Sequence, residues 1–226
     1  MTLERDYLER RNKVLVPLAK SLEEHLRGLL KDIPRIDRIS TRPKSVDRFV
    51  EKATKVENGR AKYDDPLHQI QDQIGARVVC FYLDDVEYVS NQLEPYLKSV
   101  ESKRVLPEGD SEFGYFGKHY VQFVPTDVLN PNWNKKLIPE FFELQIKTLF
   151  QHAWSEADHD LGYKPATAEL SPDQKRRIAF TAAQAWGADR IFNELFRERF
   201  PGIERRDNLA DVAWLSVHTI NSTNDE

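Results

Sequence analysis

The sequence predicts an α/β (α+β) protein: a mixed β-sheet of about five strands flanked by helices. Three observations predict it. Segments of helical and strand period follow in the order helix, helix, strand, helix, strand, strand, strand, helix, helix. Strands with no helix between them can be joined by turns, so part of the sheet should be antiparallel. Apolar residues make up 40% of the 226-residue chain, enough for a core, and Lys+Arg 33 against Asp+Glu 37 leaves a net charge of only −4, too little for charge-driven disorder.

The elements follow in order. Residues 5–30 read as a helix, because Leu8, Leu15, Leu18, Leu22, Leu26 and Leu29 recur at helical spacing. Pro17 predicts a kink or a break within it, and Pro34 closes it. Residues 45–55 read as the next helix, with Ser45 as N-cap and Val46, Phe49, Val50 and Ala53 facing inward. Residues 57–66 read as a loop. The run Gly75-Ala76-Arg77-Val78-Val79-Cys80-Phe81-Tyr82-Leu83 reads as a strand covered on both faces. Asp84-Asp85-Val86 opens a helix with acidic residues in its first turn, and Pro95 ends it. A short strand is expected over 100–106, a polar loop over 107–112, and strands over 119–124 and 141–147. Residues 148–161 read as a helix. Ser171-Pro172, an N-cap followed by proline at the first helical position, starts another that Pro201-Gly202 stops. The polar tail from Asn221 should fray.

Composition narrows the classes. One cysteine, Cys80, excludes an intramolecular disulfide framework and a cysteine-based zinc cluster. No apolar run approaches membrane-spanning length, and the charged first residues carry no secretory signal, so a cytoplasmic protein without membrane partners is expected. Charge is unevenly spread. Residues 35–62 hold nine Lys/Arg against four Asp/Glu, and residues 83–112 hold three against eight. A basic segment in an acidic chain points to a local anion site or to a solvated helix face.

Within the basic segment, Ser45, Arg48 and Lys52 fall near one face of a helix whose N-terminus offers free N–H groups, with Arg42 and Lys44 just before it. Forked guanidinium and point-charge ammonium donors suit a polyphosphate. In Phe141-Phe142-Glu143-Leu144-Gln145-Ile146-Lys147-Thr148, alternation puts Phe142, Leu144 and Ile146 on one face and Glu143, Gln145 and Lys147 on the other. That polar row either faces solvent or, under a cleft, makes Glu143 a general base or metal ligand. Asp72, at the entrance to the 75–83 strand, is either a solvated loop carboxylate or the partner of a second carboxylate around a hard cation such as Mg²⁺. The aromatic between glycines in Phe113-Gly114-Tyr115-Phe116-Gly117-Lys118-His119 could stack on a flat ring. His152, Glu156 and His159 share one helix face, but nothing elsewhere completes a metal set, so hydrogen-bonded or pocket-lining roles fit better. There is no phosphate-binding glycine loop, so any nucleotide would be held by side-chain cations.

These segments together resemble the synthetase domain of the RelA/SpoT-homologue family. The likeness runs from about Arg38 to Lys164. Arg42-Pro43-Lys44-Ser45 with Lys52 resembles the family's R-x-K-S…K segment, and Asp72-Gln73-Ile74-Gly75-Ala76-Arg77 its D-x-x-G-x-R. Gly114-Tyr115-Phe116-Gly117-Lys118-His119-Tyr120 resembles G-Y-x-S-x-H-Y, and Glu143-Leu144-Gln145-Ile146-Lys147-Thr148 resembles E-x-Q-I-R-T. His152-Ala153-Trp154 through Lys164 resembles H-A-W-x-E-x-x-H-D-L-x-Y-K. The length is similar to that of the small stand-alone alarmone synthetases.

The resemblance implies a nucleotidyltransferase-like sheet over residues 35–166, with helical extensions over 1–34 and 167–226. It implies transfer of the β,γ-pyrophosphate of ATP to the ribose 3′-OH of GDP or GTP, with Mg²⁺ as cofactor. Arg42, Lys44, Ser45, Arg48, Lys52 and Arg77 would serve ATP. Asp72 and Glu143 would hold the metal, with Glu143 acting on the 3′-OH. Tyr115, Lys118, His119, Gln145, His152 and Glu156 would serve the acceptor. Gly117 stands where the family has serine, Phe116 and Lys147 where it has arginine, and a Lys-rich segment is reduced to Lys103-Arg104 and Pro107. These differences fall on the acceptor side. Relatives that modify the 3′ end of tRNA or make adenosine alarmones, and an inactive nucleotide-binding regulator, are the other readings. The helices at 5–30 and 171–200 would either join copies into a homo-oligomer or cover the sheet.

Overall fold

The computed structural model describes residues 2–104, 117–162 and 170–202. The loop over 107–112, Tyr115 and Phe116, Tyr163 and Lys164, and the polar tail lie outside the described residues.

A five-stranded sheet organises the protein. Its strands are β1 (Ile36–Pro43), β4 (Ile74–Cys80), β7 (Phe141–Thr148), β6 (Lys118–Phe123) and β5 (Ser99–Arg104), in that spatial order. Only β4 and β7 are parallel; the other neighbours are antiparallel. A separate two-stranded hairpin, β2 (Val56–Glu57) and β3 (Arg60–Ala61), turns at Asn58-Gly59, both with positive φ, as a tight hairpin turn requires. This hairpin falls mainly in the 57–66 stretch expected to be a plain loop, and the short helix α4 (Pro66–Gln69) starts at its end.

β1 is the element the sequence reading missed. Its residues Ile36-Asp37-Arg38-Ile39-Ser40-Thr41-Arg42-Pro43 are mostly polar, and only Ile39 is buried. An edge strand has one neighbour and little to bury, so it carries no apolar alternation to read. Pro43, lacking an N–H, is tolerated at its end.

One face of the sheet carries the main core. Helices α2 (Val16–Leu29) and α5 (Leu83–Leu93) pack Leu18, Leu22, Leu26, Val86, Val89 and Leu93 with Ile74, Val78, Phe142, Leu144 and Ile146. The break expected at Pro17 takes the form of a π-helical turn, Arg11–Leu15, between α1 (Leu3–Arg10) and α2. Proline cannot donate to the carbonyl four residues back and crowds it, and a widened turn relieves both. The extra residue moves the inward stripe of α1 back by one position. Leu8, expected inside, is 44% exposed, and Tyr7 and Arg10 are buried instead.

The other face is partly covered by α6 (Leu149–Gly162), while α7 (Pro172–Arg199) packs on α5 and on α6, meeting α6 at a small cluster around Trp154 and Ala182. Ser171 caps α7, accepting from Gln174 N while the Gln174 side chain accepts from Ser171 N. α7 is tied to β7 through Thr148, which is fully buried. Its hydroxyl donates to Asp189 of α7 and accepts from Gln151 N at 3.0 Å. At its far end Arg197 pairs with Asp84 at 2.6 Å. α7 also leaves Phe180, Ile191 and Leu195 exposed. Among the described residues no helix is long and apolar enough to cross a membrane.

Removing the Thr148 hydroxyl takes a buried donor from a carboxylate without changing shape. Thr148→Val should lower stability by about 2 kcal/mol or more, because the bond to Asp189 and the one from Gln151 N are both lost. Urea denaturation of the two proteins measures it; a difference below about 0.5 kcal/mol would show that the link contributes little.

Candidate active site

Strand register assembles the polar face. β1 sets Arg42 opposite Gly75 and Ser40 opposite Arg77. β4 sets Gly75 opposite Glu143, Arg77 opposite Gln145 and Val79 opposite Lys147. β6 adds His119 opposite Gln145. Directly paired residues point to the same side of a sheet. Arg42, Arg77, Glu143, Gln145, Lys147 and His119 therefore share one face, while Phe142, Leu144 and Ile146 point into the core.

The basic segment is brought to this face by backbone. Lys44 N donates to Gln73 O at 2.8 Å, continuing the β1–β4 pairing into the turn that holds Asp72. Tyr7, stacked on Phe49 at 3.7 Å, donates its hydroxyl to Lys44 O at 2.9 Å. Helix α3 (Val46–Ala53) then starts at Ser45, whose side chain accepts from Arg48 N. Lys44 Nζ lies 2.9 Å from Asp72 Oδ2, and Lys52 Nζ 3.0 Å from Asp72 Oδ1. Burial alone would push the Asp72 carboxyl up, but the two ammonium groups outweigh it and hold it below the usual carboxylate range. Arg48 of the same helix pairs with Glu51 at 3.7 Å.

Across the face stands Glu143. His119 Nδ1 lies 3.3 Å from Glu143 Oε1, and Gln145 Nε2 donates to Glu143 Oε2 at 3.1 Å. An ionised carboxylate only accepts, so the His119 proton sits on Nδ1. Burial raises the Glu143 carboxyl and the Asp72 charge raises it further, yet His119 and Gln145 bring it below its ordinary value. The two acids are thus close enough to feel one another. Among the described residues, His119 Nε2 and Gln145 Oε1 find no hydrogen-bond partner although both atoms are buried, a need that a bound ligand or water would meet.

On the α6 side, Arg77 Nη1 lies 2.8 Å from Glu156 Oε1 and 3.2 Å from His152 Nδ1. Lys147, 3% exposed, donates to Ser155 Oγ at 3.1 Å, and burial pushes its ammonium down to about 8.

The structure does not bring every expected residue together. Lys118 alternates with His119, so it points to the opposite side of the sheet, where it pairs with Glu87 of α5. His152 and Glu156 meet Arg77 and not His119. Tyr115 lies outside the described residues. Alternation places Lys147 in the polar row of β7, as expected; its burial is the feature that the sequence does not show. Gly117 is explained by packing. A Cβ there would lie 2.4 Å from Ile146 O and 2.5 Å from Lys147 Cγ, because β6 enters flush against β7.

A region that carries two acids, a lysine pair and the guanidinium groups of Arg42 and Arg77 can hold a polyanion, with or without a hard cation. Among the described residues no group of three or more His, Cys, Asp or Glu side chains is set to hold a metal. Two carboxylates and otherwise water or phosphate oxygens suffice for Mg²⁺.

A polar, cation-rich face on a mixed sheet suits a phosphate-bearing ligand, and comparison with known proteins supplies the class. Residues 41–168 match the model of the region found in RelA/SpoT proteins. The chain is 28% identical over 166 residues to the GTP pyrophosphokinase YjbM of Bacillus subtilis (strain 168), covering 67% of this chain and 72% of that protein. Its fold is similar to that of a GTP pyrophosphokinase family protein from Streptococcus pneumoniae, with a TM-score of 0.71 and 24% identity over 92% of this chain and all of that one. It is also similar to the small alarmone synthetase 1 of Bacillus subtilis bound to its product pppGpp, with a TM-score of 0.67 and 23% identity over 84% of this chain and 98% of that one. The chain belongs to the RelA/SpoT family, as an enzyme of its alarmone-synthetase type.

Proposed function

We propose that this enzyme transfers the β,γ-pyrophosphate of ATP to the 3′-OH of GDP or GTP, releasing AMP. The observation that carries this reading is the strand register that sets Glu143 in line with Gly75 and Arg42, so that Glu143 shares a sheet face with the start of the basic segment holding the Lys44–Asp72–Lys52 cluster. The relative bound to pppGpp supports the choice of guanosine acceptor.

Lys44, Lys52 and Arg42, with Ser45 at the start of α3, receive the ATP phosphates, and Arg77 completes that side. Two ammonium groups now spent on Asp72 are at hand for phosphate oxygens. Asp72 and Glu143 would hold Mg²⁺; both are hard oxygen donors, and the field of one reaches the other. When bound, that ion would draw charge from the transferring phosphoryl oxygens. Glu143 takes the proton of the 3′-OH at a carboxylate oxygen. His119 fixes its orientation, and the low proton affinity of Glu143 keeps it ionised and ready. Gln145 and His119, with their unpartnered buried atoms, line the acceptor side. Holding donor and hydroxyl in line supplies much of the acceleration.

The test is product analysis from γ-labelled ATP with GDP, GTP, ATP and bulk tRNA offered separately. Label should appear in a guanosine nucleotide with an equal amount of AMP, from GDP or GTP alone. Label in tRNA only, or AMP only with an adenosine acceptor, would overturn the choice of acceptor.

A further inference from the structure

The family pattern associates His152 and Glu156 with the acceptor, but their contacts run elsewhere. Arg77 stands mid-strand in β4, opposite Ser40 of β1 and Gln145 of β7. From α6, Glu156 Oε1 reaches its Nη1 at 2.8 Å and His152 Nδ1 reaches the same nitrogen at 3.2 Å. The two are four residues apart, so one helix face delivers both to one side chain. A guanidinium only donates, so His152 Nδ1 accepts and its ring proton sits on Nε2.

The surrounding charges agree. Burial raises the Glu156 carboxyl, but Arg77 and, more weakly, Arg42 hold it below its ordinary range. The His152 ring is lowered by burial, by Arg77 and by Arg38. Both α6 residues therefore face cations of β1 and β4, the strands that flank the Lys44–Asp72–Lys52 cluster. Arg42 and Arg77 carry like charges over adjoining positions of these paired strands. The Glu156 carboxylate is the counter-charge that lets both point the same way.

We infer that Glu156, with His152 beside it, is a positioning residue for the donor nucleotide, holding the Arg77 guanidinium in place and balancing Arg42. This rests on reading the Lys44–Asp72–Lys52 side as the ATP side. Freed of Glu156, Arg77 would sample several rotamers and be repelled by Arg42, so ATP would meet a disordered partner. Among the described residues, His119 and Gln145 direct their side-chain contacts to Glu143 and not to Glu156 or His152.

The experiment compares the full chain with Glu156→Gln, Glu156→Ala and Glu156→Asp. ATP with Mg²⁺ is titrated calorimetrically, and KM for ATP and for the guanosine acceptor are measured separately. The Glu156 side chain is 49% exposed, so the variants should fold, and an unchanged thermal midpoint confirms it. The ATP dissociation constant and KM should rise roughly tenfold in the Ala variant, the effect of one partly exposed charged contact. The rise should be smaller in Gln, which keeps a neutral acceptor, and smallest in Asp. The acceptor KM should move much less. An unchanged ATP affinity in Glu156→Ala, or a rise confined to the acceptor KM, would overturn the inference. Wild-type protein that binds ATP but forms no AMP with any acceptor would instead overturn the transfer reaction, while the ATP titrations would still decide the role of Glu156.

Discussion

Glu143→Gln should reduce AMP formation from ATP at least a hundredfold while leaving ATP binding within a few-fold of wild type. The two halves of this result follow from separate parts of the site. Glutamine keeps the size of the side chain and one acceptor oxygen toward His119, which lies 3.3 Å from Glu143 Oε1, so packing on β7 is preserved. The proposed ATP side rests on Lys44 and Lys52, whose ion pairs are with Asp72 and not with Glu143. What is lost is the negative charge, and with it the ability to take a proton from the acceptor hydroxyl and to share a cation with Asp72. Loss of a positioned general base alone costs about 10²–10⁴ in rate, and loss of a metal ligand adds to it. Single-turnover measurement of AMP release separates this from binding. Activity within tenfold of wild type would mean that Glu143 neither accepts the proton nor holds the metal. The reading would then have to move to another carboxylate, with Asp72 of the turn before β4 the first to test.

Much of the site was legible in the sequence because it lies on regular elements. The alternation of β7 fixes Glu143, Gln145 and Lys147 on one face whatever the partner strands do, and the buried Phe142, Leu144 and Ile146 bear this out. The Ser45 cap and the spacing to Lys52 likewise follow from helix geometry. What could not be read was set by contacts between distant segments. β1 has a polar sequence and becomes a strand by pairing with β4, so neither its existence nor the opposition of Arg42 to Gly75 shows in the local pattern. The one-residue shift of the α1 stripe comes from the π-helical turn before Pro17, which periodicity alone treats as straight helix. Lys118 and His119 are sequence neighbours assigned one role by motif. Strand alternation sends them to opposite faces, and this would have been visible had the motif been read with the strand beneath it. The partner of Arg77 could not be read at all, because His152 and Glu156 are equally placed on α6 to face either side of the crevice.

Lys147 presents the clearest conflict between folding and function, and it gives the other large expected effect. Its side chain is 3% exposed, with Ser155 Oγ at 3.1 Å and the charges of Arg77, Glu143 and Glu156 around it. Burial first, then Arg77, lowers its pKa from 10.5 to about 8 despite the two acids. The unfolded chain therefore binds this proton more tightly than the folded one. Below pH 8 the folded state bears the full cost of a buried ammonium. Between pH 8 and 10.5 the folded state sheds the proton first, the unfolded state holds more protons, and stability rises with pH. A shift of this size corresponds to a cost on the order of 3 kcal/mol at neutral pH. Lys147→Met keeps the stem that lies against Gly117 and removes the charge. At pH 7 it should be more stable than wild type by roughly 1–3 kcal/mol, less than the full cost because the Ser155 bond goes too. The difference should shrink as the pH is raised toward 10, since only the wild type gains from losing the proton. Under the proposed reaction, turnover should fall about tenfold or more, because the row beside Glu143 loses the cation that lies among Glu143 and Glu156. Urea denaturation at pH 7 and pH 10 with AMP release on the same preparations tests both. A Met variant less stable at pH 7, or equally offset at both pH values, would show that Lys147 is held by compensating contacts and bears no net cost.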